Sequence, residues 1–354
     1  MNNKENLRSL LSRKGFERIS PTFDLCPHLN ELFKTKYGNS ADVKEVFNFS
    51  ERHVTGGVLK DYNIDNFLKY YPNGVKEGTH IDQWGVAHEP GSKFAKHMTR
   101  MVHPLNNIDS VEQILEYPFP NFKEADYSIQ NNETEKYNNQ GYFTIGNMQC
   151  TIWESAWYMR GMENLMMDML AEEAMAEVLL DKVTDIAITR AVNFAKSGVD
   201  MIFLGDDIGM QKTIMMSEDL YRTWLKPRIK MVIDAARREN PDVLIAYHSC
   251  GYVKPFIEDF IDVGIDVLNP VQPECMNFKE IHEEFGDRIS FLGALGTQTT
   301  MPFGSTDDVR RVVFENLEIA GDNGGLWISP THLLEPEVPW ENIEAYVKAC
   351  NDFK

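Results

Sequence analysis

The sequence predicts an α/β fold, a (β/α)8 TIM barrel with an N-terminal helical capping segment. From Gly141 onward, short apolar runs alternate with longer amphipathic ones, the pattern of repeated β-then-α units around a parallel sheet. A chain of 354 residues suits one such barrel with insertions. Polar residues gather just after the predicted strands, where a barrel collects the loops that carry its chemistry. On this reading residues 1–75 form the cap and residues 76–354 the barrel.

Composition narrows the function classes. Hydrophobic residues at 43% and charged residues at 25% are ordinary globular values, which excludes a disordered or fibrous chain. A formal charge of −19, from 54 acidic against 35 basic residues, argues against nucleic acid and against a polybasic membrane surface. The start, Met1 to Asn6, carries charge where a signal peptide needs an apolar run. No later stretch offers about 18 uncharged apolar residues, so a cytoplasmic protein is expected. Five scattered cysteines argue against a disulfide framework and leave thiols free to act as ligands.

In the cap, short helical pieces flank one brief strand candidate, Ile19 to Phe23. Cys26-Pro27-His28 reads as a proline-bounded loop with an incidental cysteine rather than a ligand pair. His80, His88, His97 and His103 share no spacing that converges them and read as surface or capping histidines. The polar run Asn131 to Asn139 reads as a surface connection. Strands are predicted at 141–146, 199–204, 243–248, 265–268, 288–292 and 325–329. Ser217 opens a helix that Pro227 kinks; Asn277 with Glu280 opens another that stops at Gly286, and 306–320 makes a third. The methionines of 159–169 fall at helical spacing and are expected to fill core gaps.

The strand ends carry the candidate site. Residues two apart in an extended chain point the same way, so His248 and Cys250 can hold one metal ion from one side. His332, after the last predicted strand, is the best third zinc ligand, with Asp207 or Glu154 as carboxylates for the remaining position. Adjacent Asp206 and Asp207 cannot both face the mouth; one caps or pairs elsewhere. Asn269 and Gln272 follow a neighbouring strand as amides able to contact substrate or cofactor. Gly293 to Gln298 lacks the lysine and glycine spacing of a phosphate loop and reads as a tight strand-to-helix connection.

Gly205-Asp206-Asp207-Ile208-Gly209, His248-Ser249-Cys250-Gly251, Asn269-Pro270-Val271-Gln272-Pro273 and Ser329-Pro330-Thr331-His332 occur in an order and spacing that resembles the uroporphyrinogen decarboxylase superfamily. The resemblance runs from about residue 140 to the C-terminus, including Pro339 and Glu341-Asn342-Ile343. True decarboxylases of that superfamily carry an Arg-Gln-Ala-Gly-Arg-Tyr type motif near the N-terminus, suited to a polycarboxylate. Here the comparable region is Ser20 to Pro27, without arginine. The zinc-dependent methyltransferase branch resembles this chain at its H-x-C motif, whose zinc ligands map onto His248 and Cys250; its third ligand, a late cysteine, is matched here by His332.

The resemblance therefore implies an enzyme that moves a methyl group between a small substrate, a methyl ether or a thiol, and a corrinoid cofactor held by a corrinoid-binding protein. Asp207 and Glu154 would then be catalytic, and Asp206, Asn269 and Gln272 cofactor-binding; a homodimer is admitted. Histidine in place of a thiolate leaves a more positive zinc centre, which favours Lewis-acid attack on an oxygen leaving group, as in an O-demethylase. The alternatives are a decarboxylase of a tetrapyrrole or other carboxylate, and a non-catalytic corrinoid-binding barrel.

Overall fold

The computed structural model describes residues 1–91 and 98–353. Its main sheet holds seven parallel strands in the order β1 (Glu51–Val54), β5 (Phe143–Gln149), β6 (Met201–Gly205), β7 (Leu244–His248), β8 (Val267–Asn269), β9 (Ser290–Leu295) and β10 (Leu326–Pro330). A separate antiparallel sheet joins β2 (His80–Ile81), β3 (Ala87–Glu89) and β4 (Arg100–Val102). All six predicted strands of the main sheet are present, each within a few residues of its expected bounds. Their flanking helices follow the alternation that the sequence displays, the longest being Ala174–Ser197.

The closed eight-stranded barrel is not what forms. The sheet curls but stays open, and among the described residues β1 and β10 share no ladder. The seam between them is crossed by residues 19–25, the strand candidate of the cap. Pro21 has no N–H to give to a ladder, and side chains do the bonding instead. Trp327 Nε1 donates to the Ser20 carbonyl at 3.0 Å, Ser50 N donates to Ser20 Oγ at 2.9 Å, and Thr22 Oγ1 donates to Glu51 Oε1 at 2.9 Å. Only beyond this point does the segment touch the other edge through backbone, where Leu25 bridges Leu334. The cap is also less helical than expected, because β1 lies inside it and pairs with β5.

Several local expectations are corrected. Asn131 to Asn139 is not a connection but the body of a helix, Ser128–Asn139, whose side chains are mostly polar because it buries little beyond Gln130 and Thr134. Pro227 does more than kink its helix: two helices form, Glu218–Trp224 and Lys226–Glu239, with the break at Leu225. His80 and His88 do converge, as partners across β2 and β3 with ring centroids 6.4 Å apart; His97 lies outside the described residues. Cys26 is buried at the start of helix Pro27–Tyr37 while His28 is exposed, so the two do not act together. Met159 and Met169 fill the core as expected, but Met167 is exposed.

The open seam leaves Ser50 Oγ and Glu51 Oε2 buried without hydrogen-bond partners, and of the two only Glu51 titrates. Glu51 is 1% exposed, and its Oε2 has no hydrogen-bond partner. Burial raises its carboxyl from the ordinary 4.5 to about 7, against smaller opposing effects of Lys44 and Thr22. A raised carboxyl stabilises the fold fully below the unfolded value and loses that contribution as pH rises through 7, by up to about 3 kcal/mol. Glu51→Gln keeps the acceptor for Thr22 and carries no charge. Its thermal midpoint should equal that of the parent at pH 4 and exceed it at pH 8; a parent-like fall between the two pH values in the variant would remove Glu51 as the cause.

Candidate metal centre

The parallel register brings Gln149, Gly205, His248 and Asn269 into one row at the C-terminal rim of the sheet. Gly205 is what lets that row close up: a Cβ there would stand 2.6 Å from His248 Cβ and 2.7 Å from the His248 carbonyl oxygen. After the row, the chain turns at Gly251, whose φ of +83° is in the left-handed region open to glycine. This turn carries Cys250 back beside His248, with Sγ 3.4 Å from His248 Nε2.

Asp207 completes the group. Its Oδ1 lies 3.6 Å from His248 Nε2 and accepts the backbone N–H of Cys250 at 2.7 Å. The donor atoms of Asp207, His248 and Cys250 lie within 4.8 Å of one another. A tetrahedral zinc with Zn–S of about 2.3 Å and Zn–N of about 2.0–2.1 Å sets nitrogen and sulfur about 3.5 Å apart. The His248–Cys250 separation matches that spacing, so the donors present fit such an ion.

The imidazole is also turned the right way. Asn269 Nδ2 donates to the Leu292 carbonyl at 2.8 Å, which directs its Oδ1 at His248 Nδ1, where the two are hydrogen-bonded. Nδ1 therefore carries the proton, and Nε2 presents a lone pair to the cluster. Burial, reinforced by the nearby His332, lowers the His248 pKa despite the opposing charge of Asp207. Burial, with Asp207 and Glu154, pushes the Cys250 thiol far up, so a cation is what would draw out its thiolate.

Asp206 and Asp207 part company as the extended backbone requires. Asp206 is 1% exposed and off the cavity wall, so the expected cofactor contact is replaced by a structural one. Its carboxylate accepts the backbone N–H groups of Ile152 and Glu154 at 3.1 and 2.9 Å, anchoring the start of helix Trp153–Arg160. That anchor aims Glu154 at the site. Glu154 Oε1 accepts from Tyr158 at 2.7 Å and Oε2 from the backbone N–H of Asp207 at 3.1 Å. Burial, then the charge of Asp207, raises the Glu154 carboxyl to about 7. Tyr158 was missed from the sequence, although its place four residues after Glu154 on one helix was legible.

Two chambers meet at the cluster. The inner one, about 680 Å³ inside the curled sheet, is lined by His248, Asn269 and Glu154. The outer one, about 620 Å³, is lined by Cys250 and Gln272, and Asp207 and His332 border both. Gln272 is braced rather than free, its Oε1 accepting the Gly251 N–H at 3.2 Å. His332 thus shares the site with His248 and Cys250 but stands outside the close group of three donors. No lysine or arginine lines the inner chamber among the described residues, and Thr22 to Leu25 form part of its wall.

Comparison with known proteins agrees with this geometry at the level of the family. The uroporphyrinogen decarboxylase (URO-D) family model matches residues 96–353. A methylated-thiol–coenzyme M methyltransferase of Methanosarcina mazei is 24% identical over 206 residues, covering 56% of this chain and 50% of that protein. A uroporphyrinogen decarboxylase of Pelodictyon phaeoclathratiforme is 24% identical over 185 residues, covering 51% of this chain and 50% of that protein. The chain thus spans about half the length of these curated relatives. Among solved structures, a methyltransferase from Methanosarcina mazei has the same fold, with a TM-score of 0.70 at 17% identity over 100% of this chain and 99% of that one. With a family model covering well over half its length, the chain belongs to the uroporphyrinogen decarboxylase family.

Proposed function

We propose that the protein is a zinc-dependent methyltransferase that moves a methyl group between a small substrate and a corrinoid carried by a separate protein. The observation that carries this reading is the close grouping of His248 Nε2, Cys250 Sγ and Asp207 Oδ1, with the nitrogen and sulfur at the separation a tetrahedral zinc sets and the imidazole in the ligating tautomer. Asp207 takes the third-ligand place first expected for His332, and His332 borders the position left to the substrate. When bound, zinc would supply Lewis acidity to the substrate heteroatom, on oxygen for a methyl ether or on sulfur for a thiol. Glu154, titrating near neutrality and held by Tyr158, is the group placed to exchange the proton that this heteroatom gains or loses.

A decarboxylase reading fits less well. A substrate with many carboxylates calls for guanidinium or ammonium partners, and the described lining of the inner chamber offers none while Asp24, Glu154 and Asp207 face it. The resemblance of the fold to a methyltransferase supports the same choice without naming the donor or the acceptor.

Metal analysis beside methylation of reduced cobalamin tests the reading. The parent should hold about one zinc per chain, Cys250→Ala and Asp207→Ala well under half of that, and His332→Ala should keep zinc while losing methyl transfer. Zinc lost from His332→Ala would make it a ligand after all; no zinc in the parent, or carbon dioxide release from a carboxylate substrate without metal, would contradict the proposal. A chelator competition gives a second check. Asn269→Ala should weaken zinc binding about 10–100-fold by freeing the imidazole to turn, and unchanged affinity would mean that Asn269 does not orient His248.

A further inference from the structure

The inner chamber carries an imidazole that the cluster does not use. His53 sits on β1 opposite Ile145 of β5, and both line the chamber. Its ring makes no hydrogen bond to protein among the described residues. It is exposed to solvent although protein surrounds it, which is how a side chain on the wall of a deep cavity stands. Register sets its depth. The Ile145 row lies four residues below the Gln149 row that holds His248, roughly 13 Å along the strand. Between these rows the wall is mostly apolar, with Phe203 beside Asn147 on one side and the register pair Leu292 and Trp327 on the other.

The chamber therefore has a polar top at the cluster, a middle that is apolar except for Asn147, and the unpartnered His53 imidazole at the floor. We propose that His53 is a specificity-determining residue that hydrogen-bonds the end of the substrate remote from the cluster. The substrate it selects is an uncharged molecule of about one ring, with a methylated heteroatom at one end and a hydroxyl at the other. This rests on the methyl-transfer reading of the cluster. Burial, with the charge of Lys44, holds the imidazole down to about 3, so it stays neutral and offers a hydroxyl both an N–H and a lone pair. No lysine or arginine on the described wall of the chamber is there to pair with a charged far end, which disfavours an anion. His53 also borders a surface hollow of mixed charge, lined by Lys44, Arg52 and Lys136 and by Asp42 and Glu45, whereas no cation stands on the described wall of the chamber.

Equilibrium binding to the zinc-loaded protein, with 4-methoxyphenol, methoxybenzene and 4-methoxybenzoate as probes, tests the assignment apart from turnover. The parent should bind 4-methoxyphenol roughly fivefold more tightly than methoxybenzene, the worth of about one net hydrogen bond. His53→Ala should bind the two alike, His53→Gln should restore part of the difference, and 4-methoxybenzoate should bind most weakly. A preference for the phenol that survives in His53→Ala overturns the proposal, as does a parent that binds neither neutral probe or does not tell them apart. His53-dependent binding that is tightest for the benzoate would move the contact to the outer hollow and overturn it equally. Loss of the phenol preference with a parent-like melting curve separates the contact from misfolding. A parent that shows the preference yet transfers no methyl to cobalamin would sink the functional reading and leave the floor contact standing.

Discussion

The structure of this site depends on one amide. Asn269 ends β8 with its Nδ2 bound to the Leu292 carbonyl of the next strand and its Oδ1 bound to His248 Nδ1 on the previous one. An asparagine has no freedom to reverse that order once the carbonyl has claimed its NH2 group. The imidazole tautomer, and hence the lone pair that faces Cys250 and Asp207, follows from a backbone hydrogen bond two strands away. Parallel register makes this possible, because it sets His248 and Asn269 side by side in one row.

A second constraint holds the opposite wall. Asp206 is buried with its carboxyl pushed well above the usual range by burial and by Glu154, while backbone N–H groups at the start of helix Trp153–Arg160 pull it back. A buried carboxyl in that place is tolerable because those donors satisfy its oxygens. Its neighbour Asp207 is thereby turned toward the cluster, and Glu154, one residue past Trp153, accepts the backbone N–H of Asp207. Two adjacent aspartates thus do different work, one fixing a helix and the other facing the cavity.

Much of this was legible in the sequence. The six later strands are readable from apolar runs between amphipathic ones, and the H-x-C spacing suggests a pair of ligands at a strand end. The rest was not, for physical reasons. Glu51 to Val54 is a short strand with polar or charged residues at three of its four positions, so neither alternation nor apolar length marks it, nor the place of His53. The open seam could not be foreseen because it depends on side chains of residues 19–25 replacing a ladder. The nearness of Asp207 to His248 and Cys250, within 4.8 Å, is a product of register, which spacing along one strand does not encode.

The chamber's chemistry follows from the same frame: metal donors at the rim, mostly apolar rows beneath broken by Asn147 and His53, and no cations on the described wall. Zinc K-edge X-ray absorption of the purified protein tests the central claim most directly. The account predicts one sulfur neighbour at about 2.3 Å and nitrogen or oxygen neighbours at about 2.0–2.2 Å, with the sulfur shell gone in Cys250→Ser. A zinc shell without sulfur, or with several sulfurs, would contradict it.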